Sequence, residues 1–198
     1  MTTSPDLPRT ALLKRGLALE YTTLGWNVVG VVILAIAAVS ARSVALAGFG
    51  LDSLVEIGAS TVVIWELADT DQERQHRALR LIGAAFTALA LYLLVQSTLV
   101  LALGYHPKHS VLGIAWTAAT AAAMFALAAG KARTGTALNN PVLTTEGKVT
   151  LVDAILATAV LAGLVLNAGL GWWWADPLTG YVLVYYAARE ARHIFTER

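Results

Sequence analysis

Asp52 and Glu56 stand inside the run GFGLDSLVEIGASTVVIWE, from Gly48 to Glu66. Their spacing puts both carboxylates on one face of a helix, about one turn apart. A second acidic pair, Glu146 and Asp153, lies in TEGKVTLVDAILATAV. It spans about two turns and again shares one face, with Val149 between and Lys148 off it. Carboxylates crowded in a low-dielectric interior repel one another, and a cation or a proton relieves the repulsion. Oxygen donors suit Mg²⁺, Mn²⁺ and Ca²⁺, and Zn²⁺ also accepts them. Metal and proton would then compete for one site, and competition is what antiport needs if the helices expose that site alternately. A proton relay or a site for an organic cation would show the same carboxylates.

These groups could instead lie on the wet face of a soluble helix, but the composition argues against it. Of the 198 residues 57% are hydrophobic and only 14% are charged, with a mean hydropathy of +0.64. Soluble domains carry about 25% charged residues. Apolar stretches recur along nearly the whole chain. Because lipid admits only segments that satisfy their own backbone, the reading is an all-α polytopic membrane protein. Alanine and leucine dominate, which favours helices over barrel strands. Membrane lipid is therefore a partner, and at depth an acidic residue faces a protein interior or a water-filled cavity.

Six spans are expected, at about 17–39, 44–67, 79–103, 111–129, 142–166 and 177–188. Residues 1–16 form an N-terminal tail, 17–190 the transmembrane domain and 191–198 a C-terminal tail. Glu20 and Asn27 share a face of the first span and are candidates to line an inner path; Glu20 could also serve only as an interfacial carboxylate. Residues 40–43 make a tight turn. Gly48, Gly50 and Gly58 allow close packing in the second span, and Trp65 and Glu66 mark its far interface. The charged stretch 68–80, with His76, is a loop or helix end in water. Gln96 interrupts the third span. His106 and His109 have a spacing that could present two imidazoles to a metal, but Pro107 disfavours a helix there and an ordinary loop is the simpler reading. The fourth span has no acidic residue and ends in the charged stop 130–133. Asn167 closes the fifth span, the tryptophans 172–174 suit an interface, and Asp176 caps the sixth with Pro177 at its first position.

Lysine and arginine fall unevenly across the joints. Arg9, Lys14, Arg15, Arg74, Arg77, Arg80, Lys131, Arg133, Lys148, Arg189, Arg192 and Arg198 fall on one side, and Arg42 and Lys108 on the other. The positive-inside rule then puts both termini in the cytoplasm of a multi-pass cell-membrane protein. At about 1.5 Å per residue, Asp52 lies roughly 12 Å from the outer entry of its span. Asp153 lies roughly 16 Å from the inner entry of its own, so the two meet near one level. Glu56 falls somewhat below them and Glu146 nearer the cytoplasm.

Other classes are disfavoured. There is no cysteine, hence no disulfide and no thiolate ligand. The net charge of +1 and the lack of a basic block argue against nucleic acid. No serine–histidine arrangement, HExxH or glycine-rich nucleotide loop suggests an enzyme.

The six spans resemble the transmembrane domain of the cation diffusion facilitator family, over about residues 15–192. The resemblance is carried by LDSLVE in the second span, VTLVD in the fifth and GWWWADPLTG, Gly171 to Gly180, before the sixth. It implies a cation-diffusion-facilitator-like bundle with metal ligands at Asp52, Glu56 and Asp153. The family's remaining ligand position holds Val149 here, so Glu146 or water would complete the set, and the case for tight tetrahedral zinc weakens. Family members commonly carry a cytoplasmic metal-binding domain that this chain is expected to lack, as do the short vesicular zinc-efflux transmembrane proteins that it is also similar to. A homodimer would then form through the membrane helices. The implied activity is export of a divalent cation in exchange for protons, with no resident cofactor. Zinc heads the cargoes, followed by Mn²⁺, Fe²⁺, Co²⁺ and Cd²⁺. A proton-coupled organic-cation carrier and a non-transporting metal-sensing scaffold are the alternatives.

Overall fold

The computed structural model describes residues 9–68 and 72–196. The chain is all-α, with six helices in order: α1 (Arg9–Ala41), α2 (Val44–Ala68), α3 (Gln72–Leu103), α4 (Val111–Leu138), α5 (Pro141–Leu170) and α6 (Ala175–Thr196). By length and composition α1, the Gly83–Leu103 part of α3, α4 and the Val142–Leu170 part of α5 can each cross a membrane. The bundle is that of a multi-pass membrane protein. Connections are short, so successive helices run antiparallel and both ends of the described chain lie at one end of the bundle.

Every expected span is a helix, but several run further than expected. α1 starts at Arg9, so residues 9–16 of the expected tail are helical. α3 starts at Gln72, which makes 72–80 a helix end; the side chain of His76, like those of Trp65 and Glu66, is outside the described residues. α4 does not stop at its charged residues. It continues to Leu138, where Asn139 takes a left-handed conformation (φ 51°) and closes it. Asn140 then caps α5 through Leu143 N at 2.9 Å, with Pro141 at the first helical position. α5 passes Asn167 and ends at Gly171 (φ 67°). Asn167 instead spends its side chain on the 104–110 connection, donating from Nδ2 to Pro107 O at 3.1 Å. In that connection His106 packs on the Trp173 ring at 4.6 Å between centroids, and His109 is exposed. The two imidazoles thus sit in an ordinary loop.

α2 is the hub, packing on α1, α3, α5 and α6. The apolar core gathers Leu34 of α1, Leu46 and Phe49 of α2, Leu93 of α3, Val160 of α5 and Leu183 of α6. It fills the half of the bundle away from the termini. There Asp176 does something other than cap its own helix. It lies inside α6, fully buried, and accepts hydrogen bonds from Ser43 Oγ (2.6 Å), Val44 N (3.0 Å) and Ala45 N (3.2 Å). Ser43 itself caps α2 by accepting from Leu46 N. Asp176 therefore satisfies the orphan donors at the start of α2 from across the bundle, where a negative charge suits the helix N-terminus.

The buried face of α1 reads Gly16, Glu20, Thr23, Asn27, Gly30, Leu34, Ala37, Ala41. This three-and-four spacing is a single stripe, and its half nearer the terminus is polar. α4 and α5 approach closely beside it. A Cβ on Gly147 would stand 2.9 Å from Ala132 N, so only glycine fits.

Candidate functional site

Two groups of buried charges occupy the half of the bundle that carries the termini. The first lies between α2 and α5. Asp52, Glu56 and Asp153 are all buried, and Asp52 and Asp153 come within hydrogen-bonding reach of each other. Each sits on a helix face set by the packing of small and apolar neighbours: Phe49 and Ser53 beside Asp52, Ala154 and Ala157 beside Asp153. With Glu56 one turn from Asp52, the three line a cavity of about 30 Å³. That is room for a water or a small ion. Glu56 Oε1 and Asp153 Oδ2 are buried with no hydrogen-bond partner. No lysine or arginine forms an ion pair with any of the three among the described residues.

The other walls come from α3 and α6: Phe86 and Leu89 on one side, Leu183, Tyr186, Ala187 and Glu190 on the other. Val149 also faces the cavity and brings no donor. Glu190 was not foreseen. It lies among Arg189 and Arg192 near the end of α6, where charge reads as a helix stop, yet it falls on the stripe of Leu183 and Ala187 that faces inward. An open groove of about 610 Å³ between α5 and α6 shares Val149, Val152 and Glu190 with the cavity. The groove lies towards the end of the bundle that carries the termini, and Lys148, Arg189 and Arg192 rim it.

The second group lies between α1, α4 and α5. Lys131 is fully buried, at 0% exposure. Its Nζ donates to Glu20 Oε2 at 3.0 Å, to Glu146 Oε1 at 3.2 Å and to Thr150 Oγ1 at 3.0 Å. Lys131 was expected in a charged stop at the end of the fourth span. It belongs to the inward stripe of α4, in register with Thr117 and Met124 at heptad spacing. That spacing was the available signal. Arg133, two residues on, is exposed as the stop reading expects.

The structure thus divides the expected site residues. Asp52, Glu56 and Asp153 share one cavity. Glu146 faces Lys131, with Glu20. Asn27 is buried one heptad from Glu20 and donates to its own helix, Nδ2 to Thr23 O at 3.1 Å. The open groove runs along α5 and α6, away from Glu20 and Asn27 on α1. Glu56 senses the charges of both groups: Glu146 and Lys131 on one side, Asp153 and Asp52 on the other. Among the described residues, no three or more histidines, cysteines, aspartates or glutamates are arranged as a formed metal-ion site. The donors around the cavity would have to draw together to enclose an ion.

Fold and site together define a six-helix, polytopic membrane protein with a buried ionic centre. No family model matches the chain, and no curated protein matches it either.

Proposed function

We propose that this protein is a divalent-cation carrier that exchanges its cargo for protons, with Asp52, Glu56 and Asp153 as the ion-binding carboxylates. One observation carries the reading. Three buried carboxylates border a cavity of ion size, and two of their oxygens are left without any protein partner. An unpaired buried acceptor is costly and in a native interior calls for a functional reason. Within lipid, buried ionisable groups of this kind mark ion and proton pathways.

Three carboxyl groups around one cavity favour a compact, doubly charged inorganic ion over an organic cation. Its donors are all oxygen and Val149 adds none, so Mn²⁺ belongs beside Zn²⁺ at the head of the cargoes, before Fe²⁺, Co²⁺ and Cd²⁺. Glu190 is better placed than Glu146 to supply a further carboxylate, since it borders the same cavity. In this reading the groove between α5 and α6 is the cytoplasmic approach, the positive-inside bias sets the direction as export, and protomers pair through their lipid-facing helices. When the cation leaves, protons take its place on the carboxylates and remove their mutual repulsion.

The test is uptake of Zn²⁺ or Mn²⁺ into proteoliposomes under an imposed pH gradient. Saturable flux should fall by more than about tenfold in both Asp52→Asn and Asp153→Asn, the size expected when an essential ligand is removed. Flux that survives in both folded variants would remove the assigned site.

A further inference from the structure

The Lys131 group looks at first like a structural ion pair. Its surroundings go further than pairing requires. The ammonium already has oxygens from three side chains at 3.0–3.2 Å. Two further oxygens, Glu20 Oε1 and Ser60 Oγ, are buried here; the Ser60 hydroxyl comes within hydrogen-bonding reach of Glu20, and neither oxygen has a partner outside this pair. Glu20 is fully buried, so no bulk water reaches that oxygen. The pocket sets two glutamate carboxyl groups and the Thr150 and Ser60 hydroxyls around one ammonium, more oxygens than its three protons can serve. Lysine is a compact cation on a flexible stem, able to leave a pocket without its backbone moving. Glu56 lies within electrostatic range of both Lys131 and the Asp52–Asp153 pair, which joins the two groups.

We infer that Glu20, Glu146 and Thr150 form a second cation site, which Lys131 fills with its own ammonium until a divalent metal ion displaces it. The bound lysine stands in for the missing ion and ties α1, α4 and α5 together. When a metal enters, the ammonium swings out and the tie between the three helices is exchanged for one through the ion. This inference goes beyond the cavity site and does not depend on it.

The experiment counts Mn²⁺ bound per chain, by electron paramagnetic resonance of the free ion, on the full chain in detergent. At a Mn²⁺ concentration too low to displace the lysine, Lys131→Met should bind one Mn²⁺ more than the wild type; at saturation the two should bind equally. The added triple change Lys131→Met, Glu20→Gln, Glu146→Gln should lose that increment. The increment should persist when Asp52→Asn, Glu56→Gln and Asp153→Asn are present as well. A wild type that binds one Mn²⁺ at saturation, lost with Glu20→Gln and Glu146→Gln but kept with Asp52→Asn, Glu56→Gln and Asp153→Asn, would sink the cavity reading and leave this one standing. A folded Lys131→Met that binds no more than the wild type at that low concentration overturns the second site. A measurement on the wild type covers the case of a variant that does not fold. The chain has only Lys14, Lys108, Lys131 and Lys148. Amine acylation at Lys131, read by mass spectrometry, should rise several-fold with saturating Mn²⁺ while the other three stay constant. No rise at Lys131 overturns the inference.

Discussion

The two ends of the bundle bury carboxylates in opposite ways. Away from the termini, Asp176 sits in the apolar half and both its oxygens are used, by Ser43 Oγ and by the backbone of Val44 and Ala45. Towards the termini, Glu20, Glu56 and Asp153 each keep a buried oxygen with no partner. The same residue class therefore serves two ends. A buried carboxylate that is fully satisfied is a fastener. One left partly unsatisfied is, on the proposed reading, held ready for an ion that the chain itself does not supply. The contrast also shows why Lys131 matters: it places a cation against one of the two acidic groups, while no lysine or arginine pairs with the other among the described residues.

The largest effect is expected where the contrast is sharpest. Lys131→Ala strips the counter-ion from two buried glutamates, and breaking a buried pair in this way costs about 3–5 kcal/mol. Replacing the whole group, with Lys131→Met, Glu20→Gln and Glu146→Gln together, should cost far less, because no charge is stranded. Thermal unfolding in detergent without metal measures both. A single variant no worse than the triple one would mean that the pocket admits water and that the charges are not held as described.

Next comes the fastener. Asp176→Ala leaves the Ser43 hydroxyl and two backbone N–H groups at the start of α2 without their acceptor. Unsatisfied buried donors cost about 1–3 kcal/mol each, and part of this is recovered by relaxation. The expectation is a loss of about 2–3 kcal/mol with Mn²⁺ or Zn²⁺ binding unchanged. A variant that lost metal affinity in proportion to stability would erase the functional distinction between the two ends.

Packing gives a smaller effect. Gly147→Ala would set a methyl 2.9 Å from Ala132 N, on the seam between α4 and α5. Overpacking of this kind costs about 1–3 kcal/mol. Because the seam holds Lys131 opposite Glu146, the change should also loosen that pair, visible as raised acylation of Lys131. Loss of stability without any rise in Lys131 reactivity would show that the seam does not set that contact.

What could be read from the sequence follows the range of the forces involved. Hydropathy is local, so the six helices and the pairing of Asp52 with Asp153 at one depth are legible from spacing and rise alone. Local caps are legible too, as Asn140 and Pro141 at the start of α5 show. The misreadings are of partners distant in the chain. Asp176 precedes a proline and reads as the cap of its own helix, but its donors come from residues 43–45. Lys131 stands next to Arg133 and reads as a stop, but the helix continues and turns the lysine inward onto Glu20, 111 positions away. Glu190 was hidden in the same way by Arg189 and Arg192. In each case composition gave the charge, and only the stripe on which it fell gave its direction.

The smallest expected effect on stability is at the proposed ion site. Asp52 and Asp153 bring two carboxyl groups together in a buried site, and no lysine or arginine pairs with either among the described residues. Asp52→Asn keeps the shape, removes one of the opposed charges, and lets an amide donate to Asp153. Its unfolding free energy should therefore stay within about 1 kcal/mol of the wild type or rise, as expected where a site trades stability for activity. Binding of Mn²⁺ or Zn²⁺ should fall sharply in the same variant. Asp176→Asn, the same chemical change in the satisfied carboxylate, should do the reverse: it should lower stability and leave binding alone. Measuring both properties in both variants sets the two ends of the bundle directly against each other. If Asp52→Asn destabilised the protein as much as Asp176→Asn, Asp52 would be a fastener as well, and the reserve of unpaired oxygens would lose its meaning.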